Sequence, residues 1–328
     1  MTEAGPRLGL SARGTLTVAA HEFRLRLRAG RWRALLAAWF AALLVLTTLL
    51  RSALVETGQE RPGTDMFGGL MLVMLALALL VVPALTAQSV NGDRMRGVLA
   101  TLQTTLLTPT EIAVGKLVAA WGTALVFLIA AVPLALWAIA EGGSAVRVAV
   151  SLTITAVLLG VVCAVALCVS SLAARTTTSA VMSYLAVFAL SIGSVIVFTL
   201  GVALTQSTES RTIDNVTFES VETHPERVWW ILAPNPFVIV ADAAPRAVAP
   251  DSGTVRLDPL GAIGEVARSM RTPEPTVVDA DGNVRPVEAP VWPYGLAVNV
   301  AVGIVAVVVT ARRLHTPYGR LSKSVRVA

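Results

Sequence analysis

The chain has 328 residues, 55% of them hydrophobic and only 14% charged, with a mean hydropathy of +0.71. That balance excludes a soluble globular domain and fits an integral membrane protein. The net charge of +5 would suit a nucleic-acid binder, but the arginines flank hydrophobic runs and form no patch interleaved with aromatics, so nucleic acid is set aside as a partner and orientation in a lipid bilayer is the better explanation.

Residues 1–31 make an arginine-rich lead. From Thr15 to Arg31, helical spacing puts Leu16, Ala20, Phe23 and Leu27 on one face and Arg24, Arg28 and Arg31 on another, with Glu22 as the one acid. This predicts an amphipathic helix in the headgroup region of the cytoplasmic leaflet; a solvated basic arm is the competing reading. No signal peptide is expected, because the first apolar run follows a long basic lead and is too long for an h-region.

Six runs have the length to cross a hydrocarbon core: Trp32 to Leu50, Phe67 to Ala87, Leu117 to Ile139, Val148 to Val169, Ala180 to Leu204 and Gly295 to Ala311. Each supplies roughly the 20 apolar residues a spanning helix needs. Arg24, Arg26, Arg28, Arg31 and Arg33 gather at the start of the first run and Arg94, Arg96 and Lys116 follow the second. Arg175 follows the fourth, and Arg312, Arg313, Arg320, Lys323 and Arg326 follow the sixth. With six spans these cluster on one side, which the positive-inside rule makes cytoplasmic, together with both termini. The predicted organisation is a cytoplasmic N-terminus (1–31), five spans with a cytoplasmic loop at 89–116 (32–204), an extracytoplasmic segment (205–292), and a sixth span with a basic tail (293–328). The fold class expected is an all-α, six-helix membrane protein. Arginine preferred over lysine, with abundant Ala and Val, is the usage of a GC-rich bacterial genome and makes a bacterial plasma membrane the expected location. Cys163 and Cys168 fall in one run on different sides of a helix, which makes them packing residues.

The loop SVNGDRMRGVLATLQTTLLTPTEIAVGKL, Ser89 to Leu117, is the polar hinge between the second and third runs. Leu99, Leu102 and Leu106 recur at helical spacing among Asp93, Arg94, Arg96, Thr101 and Gln103, which predicts a short surface helix. A second helix starts where Thr108 can cap, Pro109 fits the first helical position, and Glu111 completes a capping box. Leu107 and Ile112 are placed for a hydrophobic staple.

Asp93-Arg94, Arg96-Gly97, the leucine-rich stretch to Leu106, Pro109, Glu111-Ile112 and Gly115-Lys116 stand in an order that resembles the cytoplasmic loop of ABC-2 type exporter permeases, membrane subunits of ABC transporters. The family more often has Glu in place of Asp93, Thr in place of Val98 and Glu in place of Ala100. The resemblance implies an elbow helix before the first span, carrying Glu22, and a coupling surface for a cytoplasmic ABC ATPase formed by Asp93, Arg94, Arg96, Gly97, Leu102, Pro109, Glu111, Gly115, Lys116 and Glu22. It also implies a second permease subunit, like or unlike, and a pathway lined by the second and fifth spans, with Met71, Met74, Tyr184 and Ser191 as candidates. No cofactor would be held by this chain; ATP and Mg would be bound in the partner.

Between Thr205 and Trp292 the chain carries thirteen Asp or Glu and seven Arg, a net of −6, the reverse of the loops expected inside. Val228 to Ala244 is apolar but broken by Pro234 and Pro236. It reads either as an interfacial or re-entrant segment, with Trp229 and Trp230 at the boundary, or as the buried strip of a small outer domain. Thr276 to Val287, with Asp281-Gly282-Asn283 at its centre, reads as a hairpin.

Some chemistry is missing. Gly115-Lys116 lacks the glycine-rich loop of a phosphate cradle, so ATP is not expected to bind here. His21, His224 and His315 are far apart and support no intramembrane zinc site. Beyond Arg33 at the head of the first run, no span contains Asp, Glu, Lys, Arg or His, which disfavours an ion-driven carrier. Thr86, Trp121, Ser183, Ser194 and Asn299 are mild polar positions of the kind that close-pack helices. The chain is therefore expected to be a transport subunit and not an enzyme. The alternative is a membrane-anchored interaction protein whose 205–292 segment binds a partner.

Overall fold

The computed structural model describes residues 11–28, 30–95, 97, 107–213, 216–245, 258–272, 276–278, 284–286 and 289–314. Six of its helices are long and apolar enough to cross a membrane, and the protein is a multi-pass membrane protein on that ground. The first long helix is Gly30–Glu56, the second Gly63–Thr86, the third Pro109–Ala140 and the fourth Ala145–Leu172. The fifth is Thr176–Phe188 continued through a π segment, Ala189–Gly193, into Ser194–Leu204, and the sixth is Trp292–Leu314. A further helix, Ala12–Arg28, precedes them.

The second, third and fourth helices form the centre. Met66, Leu70, Met71, Met74 and Leu75 of the second pack with Ala120, Ala124, Phe127 and Ala131 of the third and Leu158, Leu159 and Cys163 of the fourth. The alanines of the third helix let backbones approach without a bulky side chain between them. Trp32 and Trp39 fasten the first helix to this centre, each edge-on to Phe127 with centroids 5.0 and 5.2 Å apart. The fifth helix is the most peripheral, with 11% of its most apolar window buried against 56% for the second.

Helix ends follow local chemistry. Ser144 caps the fourth helix after a turn at Gly142, whose φ of +97° favours glycine. The first helix runs on past Leu50, where the apolar run ends, and Arg51 in its last turns holds Glu141 at 2.7 Å. The Arg51 hydrogen bond, with a smaller contribution from the Trp137 indole, keeps the Glu141 carboxyl below the usual carboxylate range.

Between the fifth and sixth helices the chain departs from an all-α pattern. Ser207–Ile213 pairs antiparallel with Val216–Glu222, a hairpin the sequence reading missed, and Thr276–Val278 pairs with Val284–Pro286, where a hairpin was expected. The proline-broken stretch becomes two short helices, Trp229–Leu232 and Pro236–Ala243, joined by a bend at Pro234 and Asn235. Val238, Ile239 and Val240 are buried, and the second short helix packs on the fourth and sixth long helices and on Pro259–Arg271.

Polar side chains hold that bend in place. Asn235 caps its helix through Phe237 N–H (2.9 Å), and its own amide donates to the Ser191 carbonyl (2.6 Å) and Ser194 hydroxyl (2.9 Å). Ser191 lies in the π segment of the fifth helix and Ser194 directly follows it. Asn299 donates to the Pro234 carbonyl at 2.9 Å. The buried Asp242 carboxylate accepts from Arg268 and from the backbone N–H groups of Val291 (2.6 Å) and Trp292 (2.7 Å), so it also caps the sixth helix.

Candidate functional site

At the foot of the third helix the N-terminal helix packs alongside in the same direction. Its small residues set the distance: a Cβ on Gly14 would lie 2.8 Å from Glu111 Oε1, one on Gly115 would lie 2.7 Å from Val18 Cβ, and one on Gly122 would lie 3.6 Å from the Phe23 ring. Thr15, Val18 and Ala19 are buried in this contact, whereas Leu16 is 63% exposed. The face chosen for burial is thus the one with the smallest side chains, and Leu16 and Ala20 point away from the protein.

Thr108 and Glu111 form the expected capping box, with Glu111 N–H donating to Thr108 Oγ1 (3.2 Å) and Thr108 N–H to Glu111 Oε2 (2.7 Å). Pro109 occupies the first helical position. The other oxygen, Oε1, accepts from Ser11 N–H at 2.9 Å, so one carboxylate satisfies amides at the starts of two helices. Leu107 packs on the cluster of Val90, Ile112, Ala113, Leu167 and Leu314, which places the two staple residues together.

One turn further on, Lys116 is fully buried and its Nζ donates to both Glu22 and Asp93, and to the Ser89 carbonyl at 3.2 Å. Glu22 comes from the N-terminal helix, Asp93 from a short helix, Asn91–Met95, after the second span, and Lys116 from the third. Arg26 adds a second cation, donating from Nη2 to Ser89 Oγ at 2.8 Å, while its buried Nη1 has no partner among the described residues. Burial lowers the Arg26 pKa, the Glu22 charge raises it, and the guanidinium stays charged. Two carboxylates and two cations from three elements therefore meet in one buried junction.

The short helix is fixed from its other side. Ser170 Oγ accepts from Val90 N–H (3.1 Å), Asn91 donates from Nδ2 to the Arg175 carbonyl (3.3 Å), and Ser179 Oγ donates to the Ala87 carbonyl (2.5 Å). It ends where Gly97 takes a φ of +73° and donates to the Arg94 carbonyl. Asp93 and Arg94 therefore belong to a short helix that follows the second span, whereas the sequence reading placed them on one surface helix with Leu99, Leu102 and Leu106. Asp93 turns inward; Arg94 and Met95 are exposed, Met95 at 70%. Arg96, Leu102 and the rest of 98–106 lie outside the described residues.

The positions named for a pathway sit elsewhere. Met71 and Met74 are each 1% exposed within the central core. Tyr184 donates its hydroxyl to the Leu80 carbonyl at 3.0 Å, tying the fifth helix to the second. Ser191 has a buried hydroxyl without a partner among the described residues. No group of three or more potential metal ligands occurs among the described residues.

Glu22 was legible as the lone acid of a basic helix. Arg26, one of several arginines there, and Ser89 carried no distinguishing signal. No protein-family model matches the chain, and no curated protein does.

Proposed function

We propose that this chain is the permease subunit of an ATP-driven ABC-2 type exporter. In this reading both termini are cytoplasmic, Ala12–Arg28 is the elbow helix, the segment after the fifth span is extracytoplasmic, and two permease subunits enclose the pathway. The carrying observation is the Lys116 junction. Glu22, Asp93 and Lys116, singled out through the family resemblance, converge in space from positions up to 94 residues apart. A push on the 89–116 loop would reach the elbow helix and the third span together, because the charges cannot separate without leaving one of them buried and unpaired. The exposed Arg94 and Met95 give an ATPase a charged and an apolar contact at that same helix. ATP and Mg would be held by the ATPase, and this chain would contribute force transmission and the pathway.

The test is gentle purification of the full chain from its native membrane, followed by mass spectrometry and an ATP hydrolysis assay. A co-purifying subunit with a phosphate-cradling glycine-rich loop, lost in Arg94→Glu while membrane insertion is retained, is the expected result. A wild-type preparation with no ATPase, or with an extracytoplasmic protein in its place, would favour the anchored interaction protein.

A further inference from the structure

Where the fifth span gives way to the first hairpin, three polar side chains stand in line. Ser207 Oγ is 2.8 Å from His224 Nε2, and His224 Nδ1 is 2.9 Å from Glu226 Oε1. Strand pairing of Ser207 with Glu222 brings the start of one strand beside the end of the other, so His224 reaches back across the hairpin's base. The Thr205 hydroxyl donates to the His224 carbonyl at 3.1 Å and steadies the backbone beneath the ring. Pro225 opens the 3₁₀ turn that brings Glu226 to the ring's other nitrogen.

The connectivity has a direction. With its proton on Nδ1 facing Glu226, the imidazole leaves Nε2 to accept the Ser207 proton, the polarity that activates a serine nucleophile. Burial would raise the Glu226 carboxyl, but hydrogen bonds from its own backbone N–H and from His224 outweigh it and hold the group below the usual range, ionised at neutral pH. The position suggests the substrate class. Ser207 follows Leu204, the last residue of the fifth span and 88% exposed, by three residues, and Trp230 nearby in sequence is 62% exposed. An exposed apolar helix end and an exposed tryptophan are features of the membrane–water boundary, where ester groups of lipids lie.

We propose that Ser207, His224 and Glu226 form a hydrolytic site for carboxylic esters of membrane-embedded amphiphiles, with Ser207 as nucleophile, His224 as general base and Glu226 as the positioning residue. Ser207 Oγ bonds to the ester carbonyl carbon as its proton passes to Nε2; the carbon–alkoxy bond then breaks and the alcohol leaves with that proton. Water attacks the acyl-serine and gives a proton to Nε2. Collapse of the adduct releases the acid and returns the proton to Oγ. The site is independent of the permease reading, and its test involves no ATPase.

Full-length protein in lipid nanodiscs is treated with a fluorophosphonate, and p-nitrophenyl butyrate hydrolysis is followed in parallel. The expected result is a label mapped to Ser207, absent in Ser207→Ala, with hydrolysis falling by more than about a hundredfold in Ser207→Ala and His224→Gln. Glu226→Gln is expected to shift the pH profile of labelling and Glu226→Asp to restore it in part, while thermal unfolding midpoints confirm that the variants are folded. Wild-type protein that takes no label, or a label that persists in Ser207→Ala, overturns the proposal. A clasp that only ties the hairpin to the turn gives the first of these outcomes.

Discussion

A buried lysine between two carboxylates is poor evidence of stability, since taking charges out of water costs several kcal/mol per ion, but it makes the loss of one partner severe. Lys116→Met leaves Glu22 and Asp93 without the ammonium that donates to both, with Arg26 the cation that remains beside them, and is expected to destabilise the protein by about 3–5 kcal/mol. Adding Glu22→Gln and Asp93→Asn should restore most of that. Denaturant or thermal unfolding in detergent measures both, and a single variant with wild-type stability would show that the carboxylates are compensated by other groups. At the far end of the third helix, Arg51 depresses Glu141. A depressed carboxylate contributes stability above its unfolded pKa, about 4.3 for glutamate, and loses it as pH falls through the folded value. Between those two pH values the wild-type unfolding midpoint should fall more steeply than that of Arg51→Gln; identical profiles would mean that the pair is too exposed to matter. Residue types at these sites were readable in the sequence. Their partners were not, because Lys116 and Glu22 are 94 residues apart and only the folded chain joins them.

Elements defined by local chemistry were legible: the Thr108–Glu111 box, Pro109 at the first helical position, and six apolar runs that become six long helices. What periodicity could not choose was the face of the N-terminal helix that packs. Leucines mark the most apolar side, but helix-to-helix distance is set by small residues, and Gly14 and Gly115 draw Thr15, Val18 and Ala19 inward. Gly115→Val should therefore cost about 1–3 kcal/mol through overpacking, whereas Gly122→Ala, with 3.6 Å to the Phe23 ring, should change stability by less than about 0.5 kcal/mol. Paired unfolding midpoints test this, and equal effects would mean that the helix shifts freely. The first hairpin was invisible for a related reason. Its strands carry charged and polar residues in no clear alternation, and Asp214-Asn215 is a weak turn signal beside the Asn-Gly and Asp-Gly pairs that mark hairpins.

At the scale of the whole molecule, the charge division predicts which side each loop faces. In a background with Cys163→Ser and Cys168→Ser, single cysteines at Thr208 and Ser252 should react with an impermeant thiol reagent added outside and one at Thr177 should not; reversed labelling would end the six-span orientation proposed here. The fold distributes its polar groups to the two ends of an apolar centre. One end holds the Lys116 junction, and the other holds the Asn235, Asp242 and Arg147 contacts that pin the inter-helix segment, with Arg147 reaching Asp258 at 2.6 Å. The central claim is that the junction carries motion from a bound ATPase to the spans, and ATP hydrolysis by the complex reconstituted in vesicles tests it most directly. Lys116→Met should keep the partner bound, because Arg94 and Met95 are untouched, yet lose most of its transport-stimulated hydrolysis. Stimulated hydrolysis at the wild-type level in that variant, with the partner bound and the protein inserted, would contradict the account.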